Sequence, residues 1–365
     1  MMLISGCRWP FGLSDSLAIH QSSQENVQVP DSPLYVVATG PESVSGLTNE
    51  LLLLNSETGK TLNRTRLLKN GVIIWQMSSD PDGRIWIGYY GTPGNSSNSV
   101  DVFSPEGYHL QTLYTCANPG YGIHFADGYA FVACGGNGFK GGVSIVDLES
   151  LEVIEFIELS AEPSFLLLAS AQNDDSLAFF GSSQTHSTLF LLYTEPFKIT
   201  KAEEIYGSAS PREVIGDGNE FFLLNTASSL HPDDPKDVRI LSPTESVLVA
   251  DVSLPARSPL WGAINDQKLY SFHSSQGAIV GDSPERAISS YDLITSEMDL
   301  WLLPDNWDAS DMAVINDQIV LVGQPSVTAE SDPIHGLYAF DPESGELSLL
   351  YEIPGARLVL QPAGE

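Results

Sequence analysis

Residues 118–159 read NPGYGIHFADGYAFVACGGNGFKGGVSIVDLESLEVIEFIEL. A Pro-Gly corner, an Asp-Gly turn, a glycine-rich loop and a second tight turn divide this stretch into short apolar segments. The pattern predicts four strands, at residues 121–125, 129–134, 143–147 and 152–159. Four short strands in succession form the unit from which a propeller blade is built.

The same unit recurs along the chain from about residue 30 onward, with a period of roughly 40–50 residues. Six complete units lie at about 70–115, 116–160, 161–207, 208–254, 255–304 and 305–353. A shorter unit precedes them. The repeat predicts an all-β fold, a seven-bladed β-propeller with four-stranded antiparallel blades.

The first unit lacks its first strand. It begins directly at residues 34–39 and continues through 50–55 and 61–67. The last residues, PGARLVLQ at 354–361, have the corner and the first strand of the other units. We therefore expect residues 357–361 to complete the N-terminal blade and close the ring, which would pair an otherwise exposed sheet edge.

The sequence predicts a single propeller domain at 31–365. The polar segment at 8–30 that precedes it is predicted to be a flexible tether. Residues 4–7, Ile-Ser-Gly-Cys, resemble a bacterial lipobox with Cys7 as the lipidated residue. A signal peptide needs an apolar region of roughly 7–15 residues, and only six residues precede Cys7. Either residues 1–7 are a truncated signal or the match is accidental.

The net charge of −31 arises from 47 acidic and 16 basic residues. Nucleic acids bind through clustered Lys and Arg, so a nucleic-acid partner is not expected. Direct attraction to an anionic membrane is not expected either, and only a lipid anchor would bring the chain to a membrane. The charge favours solubility and a monomer, or attraction of basic partners.

Three segments resemble the YVTN/NHL-type propeller repeats found in many secreted bacterial proteins. They are DPDGRIWI at 80–87, GVSIVD at 142–147 and AFDPESG at 339–345. The resemblance implies a propeller in the cell envelope or outside the cell. It leaves activity open, because propellers of this superfamily include lactonases, lyases, quinoprotein subunits and binding proteins.

Long loops between the second and third strands of each blade fall on one face, together with the corners between blades. We call this the loop-rich face. Its loops are at 40–49, 91–98, 135–142, 181–187, 225–237, 272–287 and 323–335. Long loops on a rigid scaffold commonly carry binding residues, so the functional site is expected here.

Aligning the first strands predicts a ring of side chains at the mouth of the central channel. The aligned residues are Trp75, Tyr121, Phe165, Glu213, Trp261 and Met312, with Arg212, Asp311 and Arg357 beside them. The aromatic residues and Arg357 would suit a sugar, a peptide or another small polar ligand. Alternatively, these large side chains pack between adjacent blades.

Histidines and acidic residues in the loops offer weak candidates for a metal site. His186, His231, His273 and His335 each lie near a loop of the loop-rich face and are expected to be solvent-exposed. No two of them have the spacing of a zinc motif. A transition-metal site would combine the imidazole of His231 with the carboxylates of Asp233 and Asp234. A calcium site is the other alternative, with oxygen ligands from Asp233, Asp234 and Asp237 of the same loop. No cofactor is otherwise expected.

Cys116 and Cys134 lie at the same end of the third blade. In an exported protein they could form a disulfide. Two unlinked thiols are the alternative.

Two functions fit these patterns. One is an extracytoplasmic binding module for a protein, a peptide or a glycan. The other is a lactonase-like or lyase-like enzyme that uses Glu213, Arg212 and Asp311 at the channel mouth. The adjacent Arg212 is expected to lower the pKa of Glu213, which argues against Glu213 as a general base. The chain contains neither a Gly-x-Ser-x-Gly elbow nor a Walker-type loop.

Overall fold

The computed structural model describes residues 27–39, 49–67, 72–91, 97–136, 138–159, 166–173, 176–182, 187–194, 197–206, 211–225, 238–242, 247–273, 286–304, 307–325 and 335–362. These ranges contain strands, turns and irregular segments and no α-helix. Accordingly, none of these ranges contains a helix long and apolar enough to cross a bilayer.

Twenty-eight strands are numbered in chain order. The first fifteen are β1 (Pro33–Thr39), β2 (Asn49–Asn55), β3 (Thr61–Leu67), β4 (Val72–Ser79), β5 (Ile85–Gly91), β6 (Ser99–Phe103), β7 (His109–Tyr114), β8 (Ile123–Ala126), β9 (Tyr129–Gly136), β10 (Phe139–Asp147), β11 (Glu152–Glu158), β12 (Leu166–Asn173), β13 (Ser176–Ser182), β14 (Ser187–Tyr193) and β15 (Lys198–Tyr206). The others are β16 (Pro211–Gly216), β17 (Phe221–Asn225), β18 (Val238–Ser242), β19 (Val247–Val252), β20 (Pro259–Asn265), β21 (Lys268–His273), β22 (Ala287–Asp292), β23 (Met298–Leu302), β24 (Trp307–Ile315), β25 (Gln318–Pro325), β26 (Gly336–Asp341), β27 (Glu346–Glu352) and β28 (Ala356–Leu360).

The strands form seven four-stranded antiparallel sheets, which confirms the predicted seven-bladed propeller. Blade 1 has the order β28-β1-β2-β3, and blades 2 to 7 each contain four consecutive strands, from β4–β7 to β24–β27. The C-terminal strand therefore completes the N-terminal blade, as the sequence predicted. Val36 of β1 pairs with Val359 of β28, so the two ends of the chain share one sheet.

The core lies between the blades, because successive side chains of a strand point to opposite faces of its sheet. In β5, Ile87 and Tyr89 pack against blade 1, whereas Trp86 packs against blade 3. The second strand of a blade has neighbours on both faces, and β17 is accordingly buried along its whole length. Each blade is thus clamped by the two beside it.

The ring is also closed at its periphery. The Tyr351 hydroxyl of β27 donates a hydrogen bond to the carbonyl oxygen of Ser56 in blade 1. The Tyr351 ring occupies the space that a Cβ would need at Gly59, which has a φ of +66°. Glycine is required there both for the turn and for this close approach.

The face opposite the loop-rich face has tight turns, and we call it the tight-turn face. At three of these turns both central residues have positive φ, as a type I′ hairpin turn requires. The pairs are Asp127-Gly128, Asp266-Gln267 and Asn316-Asp317. Much of the loop-rich face, including residues 40–48, 226–237, 274–285 and 326–334, lies outside the described residues.

Candidate functional site

The central channel is lined by the innermost strand of each blade. These strands are β28, β4, β8, β12, β16, β20 and β24, in order around the ring. In every blade except blade 3, the pairing of the innermost strand with the second strand shifts by a β-bulge. A bulge re-aims the side chains around it, so it decides which residues turn towards the channel.

The bulges correct the predicted alignment of the channel ring. The displaced residues are Trp75, Leu168, Arg212, Leu260, Ser310, Asp311 and Arg357. Trp75 therefore aligns with Arg212, whereas Glu213 and Trp261 follow the bulge by one residue. The prediction that Trp75 and Glu213 occupy equivalent places was wrong, because counting residues along the chain does not detect the extra residue of a bulge.

An innermost strand has a second edge whose backbone N–H and C=O groups find no partner within its own sheet. Side chains from neighbouring blades bind these groups. Between blades 3 and 4, the Gln172 amide donates to the Phe125 carbonyl oxygen at 2.6 Å and accepts from the Phe125 N–H at 2.9 Å. The Ser170 hydroxyl donates to the Tyr121 carbonyl oxygen at 2.6 Å.

His124 adds to this contact. Its Nε2 atom lies 2.9 Å from the Ser170 hydroxyl oxygen. Since Ser170 donates its only hydroxyl proton to Tyr121, the Nε2–H of His124 donates to Ser170. Burial lowers the pKa of His124 to about 4, so the imidazole is neutral at pH 7.

Glu213 and Trp261 continue the pattern around the ring. The Oε2 atom of Glu213 in blade 5 accepts a hydrogen bond of 2.6 Å from the Gly262 N–H in blade 6. The Trp261 indole N–H in turn donates to the Ala309 carbonyl oxygen of blade 7 at 3.2 Å. The Trp261 ring packs in the core cluster between blades 6 and 7, together with Met312.

Asp311 binds the strand that closes the ring. Its Oδ2 atom accepts from the Val359 N–H of β28, and its Oδ1 atom accepts from the Met312 N–H, both at 2.9 Å. The neighbouring Ser310 hydroxyl donates to the Arg357 carbonyl oxygen at 2.8 Å. Two adjacent side chains of blade 7, Asp311 and Ser310, thus bind a backbone N–H and a backbone C=O of β28.

The two channel carboxyl groups have raised pKa values. Burial raises the pKa of Asp311 to about 7 against the opposing effect of its two N–H donors. Burial, and then the charge of Asp311, raise the pKa of Glu213 well above its ordinary value, while the Gly262 N–H opposes the shift. The raised pKa of Glu213 favours its protonated form, which is the form that a general acid needs.

This result contradicts the expectation that Arg212 lowers the pKa of Glu213. Burial is the largest cause of the shift, and it could not be read from the sequence around Glu213. Glu213 instead interacts with Asp311, two blades away. The side chain of Arg212 is outside the described part of the structure.

Several predicted binding residues can be located. Tyr121 lies just before β8 and makes an edge-to-face contact with Tyr90, with ring centroids 5.2 Å apart. Both rings are partly exposed, and Arg357 is exposed. Tyr121 and Arg357 come from an innermost strand or the corner that leads into it, as do Glu213, Trp261 and Asp311. Tyr90 lies in the second strand β5. The other predicted site residues, Phe165, His231, Asp233, Asp234, Asp237 and Cys7, and the side chain of Trp75, lie outside the described residues and side chains.

His273 is not the solvent-exposed loop residue that the sequence predicted. It ends β21 and is fully buried. Its Nδ1 atom lies 3.0 Å from the Arg257 carbonyl oxygen and its Nε2 atom 2.7 Å from the Ser289 hydroxyl oxygen. Burial lowers its pKa to about 4 despite the Arg257 carbonyl. The imidazole therefore joins the corner before β20 to β21 and β22.

Cys116 and Cys134 are joined by a disulfide, with Cα atoms 5.7 Å apart. The Cys116 N–H also donates to the Ser144 hydroxyl oxygen at 3.1 Å. The bond attaches the corner before blade 3 to the second strand of that blade. It braces the segment that leads to Tyr121.

Away from the channel, the described residues form a cleft but no metal-binding cluster. Within the described ranges, no three His, Cys, Asp or Glu side chains are grouped so that they could hold a metal ion. A cleft of about 510 Å³ lies on the tight-turn face between blades 2 and 3. Its acidic side chains include Asp147, whose Oδ1 atom accepts hydrogen bonds from the Ser150 N–H and hydroxyl in the local turn.

The sequence matches no protein-family model and no curated protein. Solved structures do resemble it. Apo AztD from Citrobacter koseri aligns with a TM-score of 0.52 at 14% identity, over 92% of this chain and 99% of that one. Hydrazine synthase from Kuenenia stuttgartiensis gives 0.58 at 13% identity, over 95% and 99%. The Pan2 WD40 domain of Neurospora crassa gives 0.55 at 11% identity, over 74% and 76%. At such identities the likeness shows the propeller fold alone.

Proposed function

We propose that this chain is an extracytoplasmic binding module that presents its loop-rich face to a protein, a peptide or a glycan. The observation that carries the proposal is the partly exposed pair of Tyr90 and Tyr121, where the corner before β8 meets β5. Tyrosine rings on a rigid scaffold offer a flat surface on which a sugar ring or a peptide side chain can pack. The exposed Arg357 would orient a carboxylate or a hydroxyl group of the ligand.

The hydrogen bonds of the channel favour binding over catalysis. Glu213 accepts from Gly262, and Asp311 accepts from Met312 and Val359. Each carboxyl group thus satisfies the edge of an innermost strand, a structural role that accounts for its presence. Catalysis by either group would compete with this role, because loss of the hydrogen bond leaves a buried N–H without a partner.

The proposed location outside the cytoplasm is supported by the Cys116–Cys134 disulfide, because such bonds persist in oxidising compartments. We extend the proposal to Cys7 as a lipidated residue and to residues 8–30 as the tether. A monomer related to the YVTN/NHL-type propellers fits this arrangement. No cofactor is part of the proposal.

Binding is tested on arrays of glycans and of synthetic peptides, followed by calorimetry with the strongest ligand. The substitution Arg357→Ala should weaken binding about tenfold, because the ligand loses one hydrogen bond to a charged group. The matched control is Arg66→Ala, which removes an exposed arginine from the outermost strand β3. The proposal fails if no array ligand binds, or if the two variants weaken binding equally.

The location is tested by alkylation of thiols in intact cells that are quenched with acid. Cys116 and Cys134 should react with maleimide only after reduction. If both cysteines reacted with maleimide without prior reduction, the proposed oxidising location would be contradicted. Mass spectrometry of the mature N-terminus tests the lipid on Cys7 separately.

A hydrolase or lyase of the lactonase type is the second candidate, because the raised pKa values of Glu213 and Asp311 favour it. Such an enzyme would use Glu213 as a general acid, with or without a divalent cation. The test is turnover of a lactone panel between pH 5 and 8, with and without added Ca²⁺ or Mg²⁺. Turnover that is lost in Glu213→Gln would replace the binding proposal.

A further inference from the structure

The outermost strand of blade 6, β23, differs from the outermost strands of the other blades. In β3, β7, β11, β15, β19 and β27, the pairing with the third strand is shifted by at least one bulge. The pairing of β23 with β22 is continuous from Met298 to Leu302. Bulges twist an edge and so protect it from pairing with another chain, and β23 lacks this protection.

β23 also carries an exposed apolar stripe. Met298, Leu300 and Leu302 alternate along the strand and therefore share one face of the sheet. They are 39%, 37% and 66% exposed. Ile294, in the turn before the strand, is 73% exposed and extends the stripe. On the opposite face, Trp301 packs into the core between blades 6 and 7.

Charge offers little protection to this edge. Asp299 is the one charged residue of β23, and it is exposed. The outermost strand β11 also carries exposed apolar side chains, those of Val153, Ile154 and Phe156. β11 has three glutamates and a bulge at Ile154, both of which discourage pairing. Only β23 combines a regular edge with an apolar face among the described outermost strands.

We propose that β23 is the docking site for an extended segment of a partner protein, which adds to blade 6 as a fifth strand. Backbone hydrogen bonds would pair the segment with the outer edge of β23, which pairs with no other strand among the described residues. Alternate apolar side chains of the segment would cover Met298, Leu300 and Leu302. A lysine or arginine between them would lie close to Asp299.

Charge complementarity favours a basic segment of another protein as the occupant. Each copy of this chain carries a net charge of −31, so pairing of two copies would bring like charges together. The same negative charge attracts a basic segment and so favours its binding. The docking site lies on the periphery of the ring, away from the channel mouth, so it does not depend on the proposed function of the loop-rich face.

The first test uses a displayed library of random dodecapeptides, selected on the wild-type protein and counter-selected on Leu300→Lys. We expect enriched peptides to alternate apolar residues with at least one basic residue. A synthetic copy should bind Leu300→Lys at least about tenfold more weakly, the effect of losing about 1.4 kcal/mol. The matched control is Leu349→Lys in the bulged edge strand β27, where the exposed leucine should be dispensable.

The second test locates the bound peptide by hydrogen exchange. Backbone amides of residues 298–302 should exchange more slowly in the complex, and N-methylation of alternate peptide amides should abolish binding. Both leucine variants should retain the wild-type melting temperature, because both side chains are exposed.

Three results would overturn the proposal. One is the absence of peptides that discriminate Leu300→Lys. Another is equal binding of the N-methylated peptide, or protection confined to the loop-rich face. The third is a concentration-dependent dimer of the chain alone that Leu300→Lys dissociates, because the occupant would then be a second copy.

Discussion

Asp311 fastens the closing strand of the propeller, because its Oδ2 atom accepts a hydrogen bond of 2.9 Å from the Val359 N–H. Val359 belongs to β28, which is far from β1 in sequence but pairs with it in the same sheet. After burial, the charge of the same carboxyl group is the next cause that raises the pKa of Glu213 in blade 5. One side chain therefore links the closure of the ring to the electrostatics of the channel.

Stability should fall as the pH rises from 6 to 8. The pKa of Asp311 is about 7 in the folded protein, above its ordinary value of 3.8. Its stabilising contribution is complete below the unfolded pKa and is lost as the pH rises through the folded pKa. The raised pKa of Glu213 acts in the same direction.

Urea denaturation between pH 6 and 8 measures this effect, and Asp311 alone should contribute a loss of about 1 kcal/mol. Asp311→Asn should flatten the pH profile, because the amide does not titrate. A free energy of unfolding that stays constant or increases over this range in the wild-type protein would show that the carboxyl groups are not perturbed in this way.

Removal of residues 354–365 should disrupt the ring. Without β28, the inner edge of β1 loses its partner and Asp311 loses the Val359 N–H. We expect a lower melting temperature and aggregation, which light scattering detects, because an exposed strand edge pairs with other chains. A chain that lacks only residues 363–365 is the control. Equal melting temperatures for the two truncations would contradict the role of β28.

The sequence predicted the closure because residues 354–361 repeat the corner and strand that the first unit lacks. It did not predict the bulges that offset Trp75 from Glu213, since a bulge depends on pairing with another strand. The burial of His273 was missed for a similar reason. Its partners, Arg257 and Ser289, are 16 residues away on either side and meet it only in the folded blade.

The site was predicted less completely than the fold. Glu213 and Asp311 were identified as candidates, but their interaction across two blades follows from the curvature of the ring and has no local signal. Ser170 and Gln172 were overlooked. The available signal was the presence of polar residues in an innermost strand, where the unpaired backbone edge needs hydrogen-bond partners.

Loss of the disulfide should destabilise the protein measurably. Cys116 and Cys134 are separated by 18 residues, and a loop of this size contributes about 3 kcal/mol when it is closed. The variant with Cys116→Ser and Cys134→Ser should unfold at a lower urea concentration than the oxidised protein. Reduction of the wild-type protein should reproduce the change, whereas reduction of the double variant should have no effect.

His273→Leu should destabilise the protein at pH 7 by about 1–3 kcal/mol, because the Arg257 carbonyl and the Ser289 hydroxyl lose a buried partner. The wild-type histidine has a folded pKa of about 4, below its ordinary value of 6.5. Its contribution is therefore lost as the pH falls from 6.5 to 4. The variant should show a smaller loss of stability on acidification, measured by urea denaturation at pH 6.5 and 4.5. An unchanged acid response would contradict the buried, neutral imidazole.

Binding without turnover is the central claim, and mass spectrometry of the ligand tests it most directly. The strongest array ligand is incubated for hours with less than one equivalent of protein and is then recovered. We predict that all of the ligand is recovered chemically intact, and that native mass spectrometry detects a one-to-one complex. The claim would be contradicted if the protein converted more than one equivalent of ligand and the Glu213→Gln variant did not. Such a result would identify an enzyme.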